Sequence, residues 1–257
     1  MSADFRHVAG AVLRRNLKHA FKNPALLVPS ILFPLVFLLA FAGGLSSLGN
    51  IPGFDFESGY TAFQFVFVFL QSAAFGGIFT GFAIAADYES GFARRLMLAA
   101  PRRSGIIAGF VLAGFARFLF TSVIITVVAL IAGMQVEGDG VDLAGLVGLG
   151  LLVNATCTMW SSGLSMRFKS LQIAPLMQIP VFLILFLAPV YVPKDLLRGW
   201  ISDVAGYNPA TALLEAGRGF ISGAPTTVAV AFACGFGMVA LLGIWALRGL
   251  RRAEREV

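Results

Sequence analysis

The sequence predicts an all-α integral membrane protein with six transmembrane helices, an N-terminal amphipathic interfacial helix and short re-entrant helices in its last external segment. Of the 257 residues, 58% are hydrophobic and only 12% are charged, which is too little charge for the surface of a soluble domain. The apolar residues form long runs without the alternation that marks the strands of a membrane barrel. Helices of about 20 apolar residues are therefore the predicted spanning elements.

Six apolar runs are the predicted spans, because a helix needs about this length to cross the hydrocarbon core of a bilayer. They lie at residues 26–45, 60–86, 105–134, 141–166, 174–192 and 225–247. The whole chain, 1–257, is predicted to form a single transmembrane domain. The first run is too long for the apolar core of a signal peptide and lacks a small-residue cleavage site, so we expect it to be retained as a span.

The basic residues are divided unequally between the two sides of a six-span topology. Fifteen of the 19 lysines and arginines fall on one side, in the 1–25 tail, the 87–104 loop, the 167–173 loop and the C-terminal tail. The positive-inside rule therefore predicts a multi-pass protein of the plasma membrane with both termini in the cytoplasm. These basic residues flank membrane spans and do not belong to a soluble domain that could bind a nucleic acid. No nucleic-acid partner is therefore predicted.

Residues 5–22 have the pattern of an amphipathic helix that lies in the membrane interface and contacts lipid. Apolar side chains recur at spacings of three and four, and basic side chains fill the remaining positions. The basic residues assigned to this interfacial helix are Arg14, Arg15 and Lys18. A solvated basic tail is the alternative interpretation, and the periodicity argues against it.

The most highly charged segment of the chain lies between the second and third predicted spans, at residues 87–103. It carries two acidic residues and four arginines in a chain that is otherwise poor in charge. We expect a short helix there, presented at the cytoplasmic membrane surface for another protein to bind. The candidate contact residues are Asp87, Glu89, Gly91, Arg94, Arg95 and Leu96.

The longest external segment, residues 193–223, is too apolar for a solvated loop. Two short amphipathic patterns flank a break at Asn208 and Pro209, which predicts two helices that dip back into the outer leaflet. The candidate functional residues of this segment are Asn208, Pro209, Glu215 and Arg218. A loop that lies on the membrane surface is the alternative.

Polar side chains also recur inside the predicted spans, on one face of the second and one face of the fourth, and phenylalanines crowd the second span. Polar stripes usually hold membrane helices together, and lining a substrate cleft is the functional alternative. The candidate cleft residues are Gln64, Phe67, Gln71, Asn154 and Thr158. Arg117, deep within the third span, is expected to snorkel or to pair across helices, with substrate contact as the alternative.

The chain lacks the residues that several classes of membrane protein require for their chemistry. No Asp or Glu lies well inside a predicted span, which disfavours a pump that couples to ions through intramembrane carboxylates. The two histidines, His7 and His19, lie in the cytoplasmic tail and cannot serve an intramembrane serine protease. The chain has no phosphate-binding Gly-x-x-x-x-Gly-Lys-Ser/Thr sequence and no paired metal-ligand spacing. We therefore predict no metal and no cofactor for this chain, and any work must be powered by another chain.

Three segments, in order along the chain, resemble the membrane permeases of type-2 ABC transporters, most closely those of the daunorubicin-resistance type. The first, residues 13–34, contains Leu-Arg-Arg-Asn-Leu and Lys-Asn-Pro-Ala-Leu-Leu. The second, Asp-Tyr-Glu-Ser-Gly-Phe-Ala-Arg-Arg-Leu at 87–96, resembles that family's Glu-x-Gly coupling segment. The third, residues 189–218, contains Tyr-Asn-Pro-Ala-Thr and Glu-Ala-Gly-Arg. Phe92 and Ala93 depart from the family's pattern, in which a hydroxyl residue or Leu is more common.

The resemblance implies a mechanism as well as a fold. Two six-span permease subunits, expected to be a homodimer, would enclose a central cleft, and two copies of a separate ABC ATPase subunit would bind ATP and Mg beneath them. Residues 87–100 would form the coupling helix beside the 5–22 helix, and the 167–173 loop would be a second contact. Closure of the ATPase would then expel a hydrophobic drug, natural product or lipid-like substrate outward.

Three alternatives stay open from the sequence. Within the same family, the substrate could be a polysaccharide or a teichoic acid. Outside it, the chain could be a membrane enzyme or scaffold without transport, or a channel that conducts without ATP. An adjacent ATPase gene and substrate-stimulated ATP hydrolysis by the reconstituted complex would distinguish them.

Overall fold

The computed structural model describes residues 3–22, 24–99 and 104–254. Within these residues the chain forms ten α-helices and three short 3-10 helices, with no strand. The α-helices are α1 (Ala3–Lys22), α2 (Pro24–Gly44), α3 (Gly59–Glu89), α4 (Phe92–Ala99), α5 (Ser104–Ile131), α6 (Gly140–Phe168), α7 (Ala174–Phe186), α8 (Trp200–Tyr207), α9 (Pro209–Ile221) and α10 (Val228–Glu254). The predicted all-α class is confirmed.

Four of these helices, α3, α5, α6 and α10, are long and apolar enough to cross a membrane. The first three match the second, third and fourth predicted spans to within three residues at each end. The apolar helical stretches at Val28–Gly44 and Leu171–Phe186 are shorter. The structure therefore describes a protein with several membrane helices, and the count of six spans stays a prediction.

The fifth predicted span extends too far at its C-terminal end. α7 ends at Phe186 instead of residue 192. Its 13 residues make a helix about 20 Å long, shorter than the roughly 30 Å hydrocarbon core of a bilayer. The apolar sequence continues, but the helix stops at Phe186, and Pro189 follows the capping residue Leu187 by two positions, where proline is common after a helix end.

α3 is the central helix of the bundle. Most of its 31 residues are buried, and it packs against α2, α5, α6 and α9. α6 packs extensively against both α3 and α10. α10 in turn exposes apolar side chains over most of its outer surface, as expected for a helix in contact with lipid.

A row of hydrogen bonds, here called the α3–α6 ladder, joins the two best-packed helices. Three side chains of α6 donate to three backbone carbonyls of α3 at 2.8–2.9 Å: Asn154 to Ala73, Ser161 to Gly77 and Ser165 to Gly81. The three acceptors are four residues apart and therefore lie on one face of α3. The sequence-predicted polar stripe of the fourth span is thus a helix-packing surface in this structure.

The amphipathic helix predicted over residues 5–22 is confirmed as a helix in α1. It lies along α5, where Gly105 and Gly109 let the two backbones approach closely. Its basic residues Arg14 and Lys18 are exposed. Part of the apolar face is therefore used for packing on α5, and the position of α1 in a membrane interface stays a prediction.

The two short helices predicted in the external segment are confirmed as α8 and α9. Asn208 caps α9, because its side chain accepts a hydrogen bond from Ala210 N at 2.9 Å, and Pro209 takes the first helical position, where an N–H is not needed. α9 buries most of its residues against α3, α6 and α10. The segment is therefore packed on the bundle, and its depth in a bilayer stays a prediction.

Candidate functional site

The charged segment predicted at 87–103 is divided between the end of α3 and the whole of α4. α3 ends at Glu89, and α4 begins at Phe92. Between them Gly91 has a φ of +70°, a conformation that glycine adopts without steric cost. Residues 100–103 of the predicted segment lie outside the described residues. Gly91 is therefore the turn that redirects the chain from the central helix onto the surface.

α4 has one face buried and one face exposed. Ala93 and Met97 are buried and Leu96 packs beside them, in a cluster shared with α1, α5 and α6. Three of its exposed residues, Arg94, Arg95 and Leu98, are here called the coupling face. Leu98 is 66% exposed on the same helix as these two arginines, and arginine with an exposed apolar side chain is a composition typical of protein interfaces. The small side chain of Ala93 fits the buried side of the helix.

Asp87 is bound within the chain by Arg15 of α1. The two terminal nitrogens of the Arg15 guanidinium donate to the two carboxylate oxygens at 2.7 and 2.6 Å, a bidentate and charge-assisted pair. The same guanidinium lies 3.7 Å from the centroid of the Phe92 ring. One arginine therefore joins α1, the end of α3 and the start of α4, so a residue of the interfacial helix and two of the charged segment meet in one contact.

Glu89 is bound to the loop that follows α6. Its Oε1 atom accepts hydrogen bonds from Ser170 Oγ at 2.9 Å and from Leu171 N at 2.7 Å. Leu171 begins a short 3-10 helix, and a carboxylate is favourable near the free N–H groups at a helix start. The coupling segment and the 167–173 loop, predicted as two separate contacts, are therefore held together.

The five candidate cleft residues all lie in the interior of the bundle. Gln64, Gln71, Asn154 and Thr158 have no exposed surface and Phe67 is 1% exposed. Asn154 belongs to the α3–α6 ladder, and Gln64 Nε2 donates to Tyr60 Oη and to the Val190 carbonyl at 2.8 and 2.9 Å. In this conformation none of the five faces the surface of the chain, so lining a cleft between two subunits would require the helices to move.

Arg117 pairs across helices, which is one of the interpretations that the sequence allowed. Its guanidinium donates to Thr80 Oγ1 and, at 3.4 Å, to the Gly76 carbonyl, both on α3. Burying a cation is tolerated where backbone and hydroxyl oxygens accept its hydrogen bonds. Arg117 therefore helps to hold α5 against α3.

Arg218 is the centre of a buried polar cluster at the opposite end of α3. It is 3% exposed, donates to Glu215 Oε1 at 2.9 Å and to the Val190 carbonyl at 3.2 Å, and stacks 3.3 Å from the centroid of the Phe63 ring. Burial lowers the pKa of Arg218 to about 10, although Glu215 opposes this shift, so the side chain remains a cation at neutral pH. The cluster fixes α9 to α3 and to the chain after α7.

Asn208 adds a second attachment of the external segment. Besides capping α9, its Nδ2 atom donates to the Ile184 carbonyl of α7 at 2.6 Å. The sequence singled out Asn208, Arg218 and the acceptor Glu215, but not the two backbone acceptors. Val190 and Ile184 contribute backbone oxygens, and a backbone acceptor gives no signal in side-chain composition.

Comparison with known proteins identifies the family of this chain. The sequence profile of the ABC-2 type transporter family matches residues 8–221, which contain α4 and both attachments of the external segment. The chain belongs to the ABC-2 type transporter family. The resemblance to type-2 ABC permeases is thereby confirmed, and the chain is a membrane component of a transporter.

Two curated relatives agree with this placement of the ABC-2 permease. The "Putative transport permease ycf38" of Pyropia yezoensis is 24% identical over 211 residues, which cover 81% of this chain and 72% of the relative. The "Daunorubicin resistance ABC transporter permease protein DrrB1" of Streptomyces coeruleorubidus is 23% identical over 230 residues, which cover 87% of this chain and 76% of the relative. The similarity extends over most of both relatives.

Proposed function

We propose that this ABC-2 permease is the membrane subunit of an ATP-driven exporter and that it is powered by a separate ABC ATPase subunit. The observation that carries the proposal is the coupling face. Arg94, Arg95 and Leu98 project from a short helix whose other side is buried in the bundle. ATP and Mg would bind to the ATPase, in two copies beneath a homodimer of permeases, and not to this chain.

The contacts around α4 would carry a movement of the ATPase into the bundle. α4 is continuous with α3 through the turn at Gly91, and Arg15 fixes the same turn to α1 through Asp87. Glu89 attaches the α6–α7 loop to the same point. A partner that displaces the coupling face would therefore act together on α1, α3, α4 and the α6–α7 loop, and not on an isolated segment.

The orientation of the permease follows from its charges. α10 ends in the basic residues Arg248, Arg251 and Arg252, which would lie on the same side of a six-span topology as the coupling face. The positive-inside rule supports a cytoplasmic location for that side, and with it both termini, in the plasma membrane. α8 and α9 would then re-enter the bilayer from the external side.

The proposed substrate is a hydrophobic drug, natural product or lipid-like molecule. The support is the similarity to a permease named for daunorubicin resistance. The abundance of phenylalanine, 25 in the chain, gives weaker support because aromatic faces suit a flat, apolar molecule. Daunorubicin is therefore the first compound to test.

The test is ATP hydrolysis by the complete complex in vesicles, with and without daunorubicin. Arg94→Glu and Arg95→Glu should abolish stimulation of hydrolysis by the drug, because they reverse the charge of the exposed coupling face. Arg95 also lies 5.9 Å from the centroid of the Phe92 ring, so Arg94→Glu is the cleaner variant of the two. Arg251→Glu makes the same change at an exposed arginine of α10 and should leave stimulation intact. A complex that stays fully coupled after residues 87–103 are scrambled would exclude the proposed coupling site. Stimulation by a polysaccharide precursor and not by the drug would exclude the proposed substrate.

A further inference from the structure

An apolar cavity of about 260 Å³ lies in the membrane-facing part of the bundle, between α6, α7 and α10. α3 and α9 contribute to its inner end. The side chains that define it are Val153, Cys157 and Trp160 of α6, Val181 of α7, and Met238 and Leu242 of α10. None of the residues selected from the sequence as cleft candidates lines it, so it is distinct from the predicted substrate path.

The lining of this cavity can hold an apolar ligand only. Apart from the Cys157 thiol, two of its side chains carry an O–H or N–H group. Each of these two groups already donates a hydrogen bond within the protein. Thr156 Oγ1 donates to the Leu152 carbonyl at 2.8 Å, and Trp160 Nε1 donates to the Met177 carbonyl at 3.1 Å. A polar ligand would find no free N–H or O–H donor besides the Cys157 thiol, and burying an unpaired polar group is unfavourable.

The cavity lies at a depth where hydrocarbon is the surrounding medium. Val153 is 13 residues from the start of α6 and Trp160 is eight residues from its end, which places them about 20 and 12 Å from the two ends of the helix. Ile184 of α7, which lines the cavity, and Leu241 of α10, next to the lining residue Leu242, are exposed apolar side chains. The medium next to the opening is therefore the acyl region of the bilayer.

We propose that this cavity is a binding site for one acyl chain of a bilayer phospholipid. Its volume exceeds the roughly 150 Å³ of an apolar protein cavity that binds benzene, so a segment of a hydrocarbon chain fits. An empty cavity would forfeit the dispersion contacts of its lining, and a saturated chain restores them without bringing polar atoms. A polycyclic drug with hydroxyl and amino groups would leave those groups unpaired, so the lining selects the lipid chain.

The proposal rests on the membrane position of these helices and not on coupling to an ATPase. Its test therefore uses the permease alone, in nanodiscs of 1-palmitoyl-2-oleoyl-phosphatidylcholine, without measuring transport. Val181→Phe fills the cavity from α7. Leu183→Phe is the matched control, because Leu183 lies two residues along the same helix, is 57% exposed and does not line the cavity.

Native mass spectrometry of protein released from the nanodiscs should show one fewer retained phospholipid per chain for Val181→Phe than for Leu183→Phe. A second measurement uses brominated phosphatidylcholine, whose bromines quench tryptophan fluorescence. In a background with Trp200→Phe and Trp245→Phe, quenching of Trp160 should fall in Val181→Phe and stay unchanged in Leu183→Phe.

Three results would overturn the proposal. Equal lipid retention and equal quenching in the two variants would show that no acyl chain occupies the cavity. Loss of the dimer together with the lipid in Val181→Phe would assign the surface to a second copy of the chain. Displacement of the retained lipid by daunorubicin would assign the cavity to the drug. None of these results bears on the coupling face.

Discussion

A single methyl group at Gly77 should separate the two best-packed helices of the permease. A Cβ atom added there would lie 2.7 Å from three atoms of α6: Asn154 O, Cys157 Cβ and Thr158 N. Two of the three are backbone atoms, which cannot move aside as the end of a flexible side chain can. Gly77→Ala therefore requires α3 and α6 to move apart.

The size of this effect can be worked out from the contacts. Ordinary van der Waals contact begins at 3.4 Å, so a group now at 2.7 Å must recede by about 0.7 Å. Overpacking of this kind costs about 1–3 kcal/mol. The displacement also stretches the α3–α6 ladder, in which each bond between membrane helices averages about 0.6 kcal/mol. We expect Gly77→Ala to destabilise the permease by about 2–4 kcal/mol in total.

The measurement is thermal denaturation in detergent, followed by the loss of monodisperse protein in size-exclusion chromatography. Gly237→Ala is the matched control, because Gly237 lies within α10 and a Cβ there meets nothing within 4 Å. Both variants gain the same helical preference of alanine over glycine, so that contribution cancels. The Tm of Gly77→Ala should lie of order 5 °C below that of Gly237→Ala. Equal Tm values would refute the close approach of α3 and α6.

Three further predictions concern the ion pairs and the carboxylate at the ends of α3. Arg15→Ala and Asp87→Ala should each lower the Tm by an amount corresponding to about 1–2 kcal/mol, because the ion pair is only partly buried. The double variant with the two charges exchanged, Arg15→Asp with Asp87→Arg, should recover part of this loss. Additive losses without recovery would argue against the pair. Glu89→Gln keeps an acceptor oxygen for Ser170 and Leu171, so drug-stimulated ATP hydrolysis should fall less than in Glu89→Ala; equal rates in both variants would contradict this. Arg218→Leu should destabilise the protein by about 2–3 kcal/mol in thermal denaturation, which is more than Glu215→Gln should. The reason is that Arg218→Leu removes a hydrogen-bond donor from the buried Val190 carbonyl, whereas Glu215 is partly solvated. Equal Tm values for the two variants would contradict the buried cluster.

The helices could be predicted from the sequence because their signals are local. Long apolar runs defined α3, α5 and α6 closely, since length and hydropathy are properties of one segment. The Asn208–Pro209 pair likewise predicted the boundary between α8 and α9, because an asparagine cap and a first-turn proline act on their own helix. The end of α7 was missed because hydropathy continues past Phe186, where backbone geometry stops the helix.

The contacts between elements could not be predicted in the same way. Arg15 and Asp87 are 72 residues apart, and Glu89 and Leu171 are 82 residues apart. Periodicity places each residue on a face of its helix but does not say which element packs there. The charged residues of the 87–103 segment consequently looked alike in the sequence, whereas the structure binds Asp87 and Glu89 internally and leaves Arg94 and Arg95 exposed.

This division suits the proposed function, in which α3 would transmit movement from one end of the bundle to the other. Its 31 residues span about 46 Å, with Asp87 and Glu89 attached to neighbouring helices at one end and Gln64 beside the Arg218 cluster at the other. Between these ends the α3–α6 ladder and the close approach at Gly77 prevent the two helices from sliding independently. Under the proposed function, a tilt imposed at α4 would reach the Arg218 cluster as a movement of the α3–α6 pair, because a well-packed pair shifts as a unit before it deforms. In the proposed transport cycle, the contacts of Arg218 and Gln64 with the Val190 carbonyl would be the ones to break at the end of α3 opposite α4.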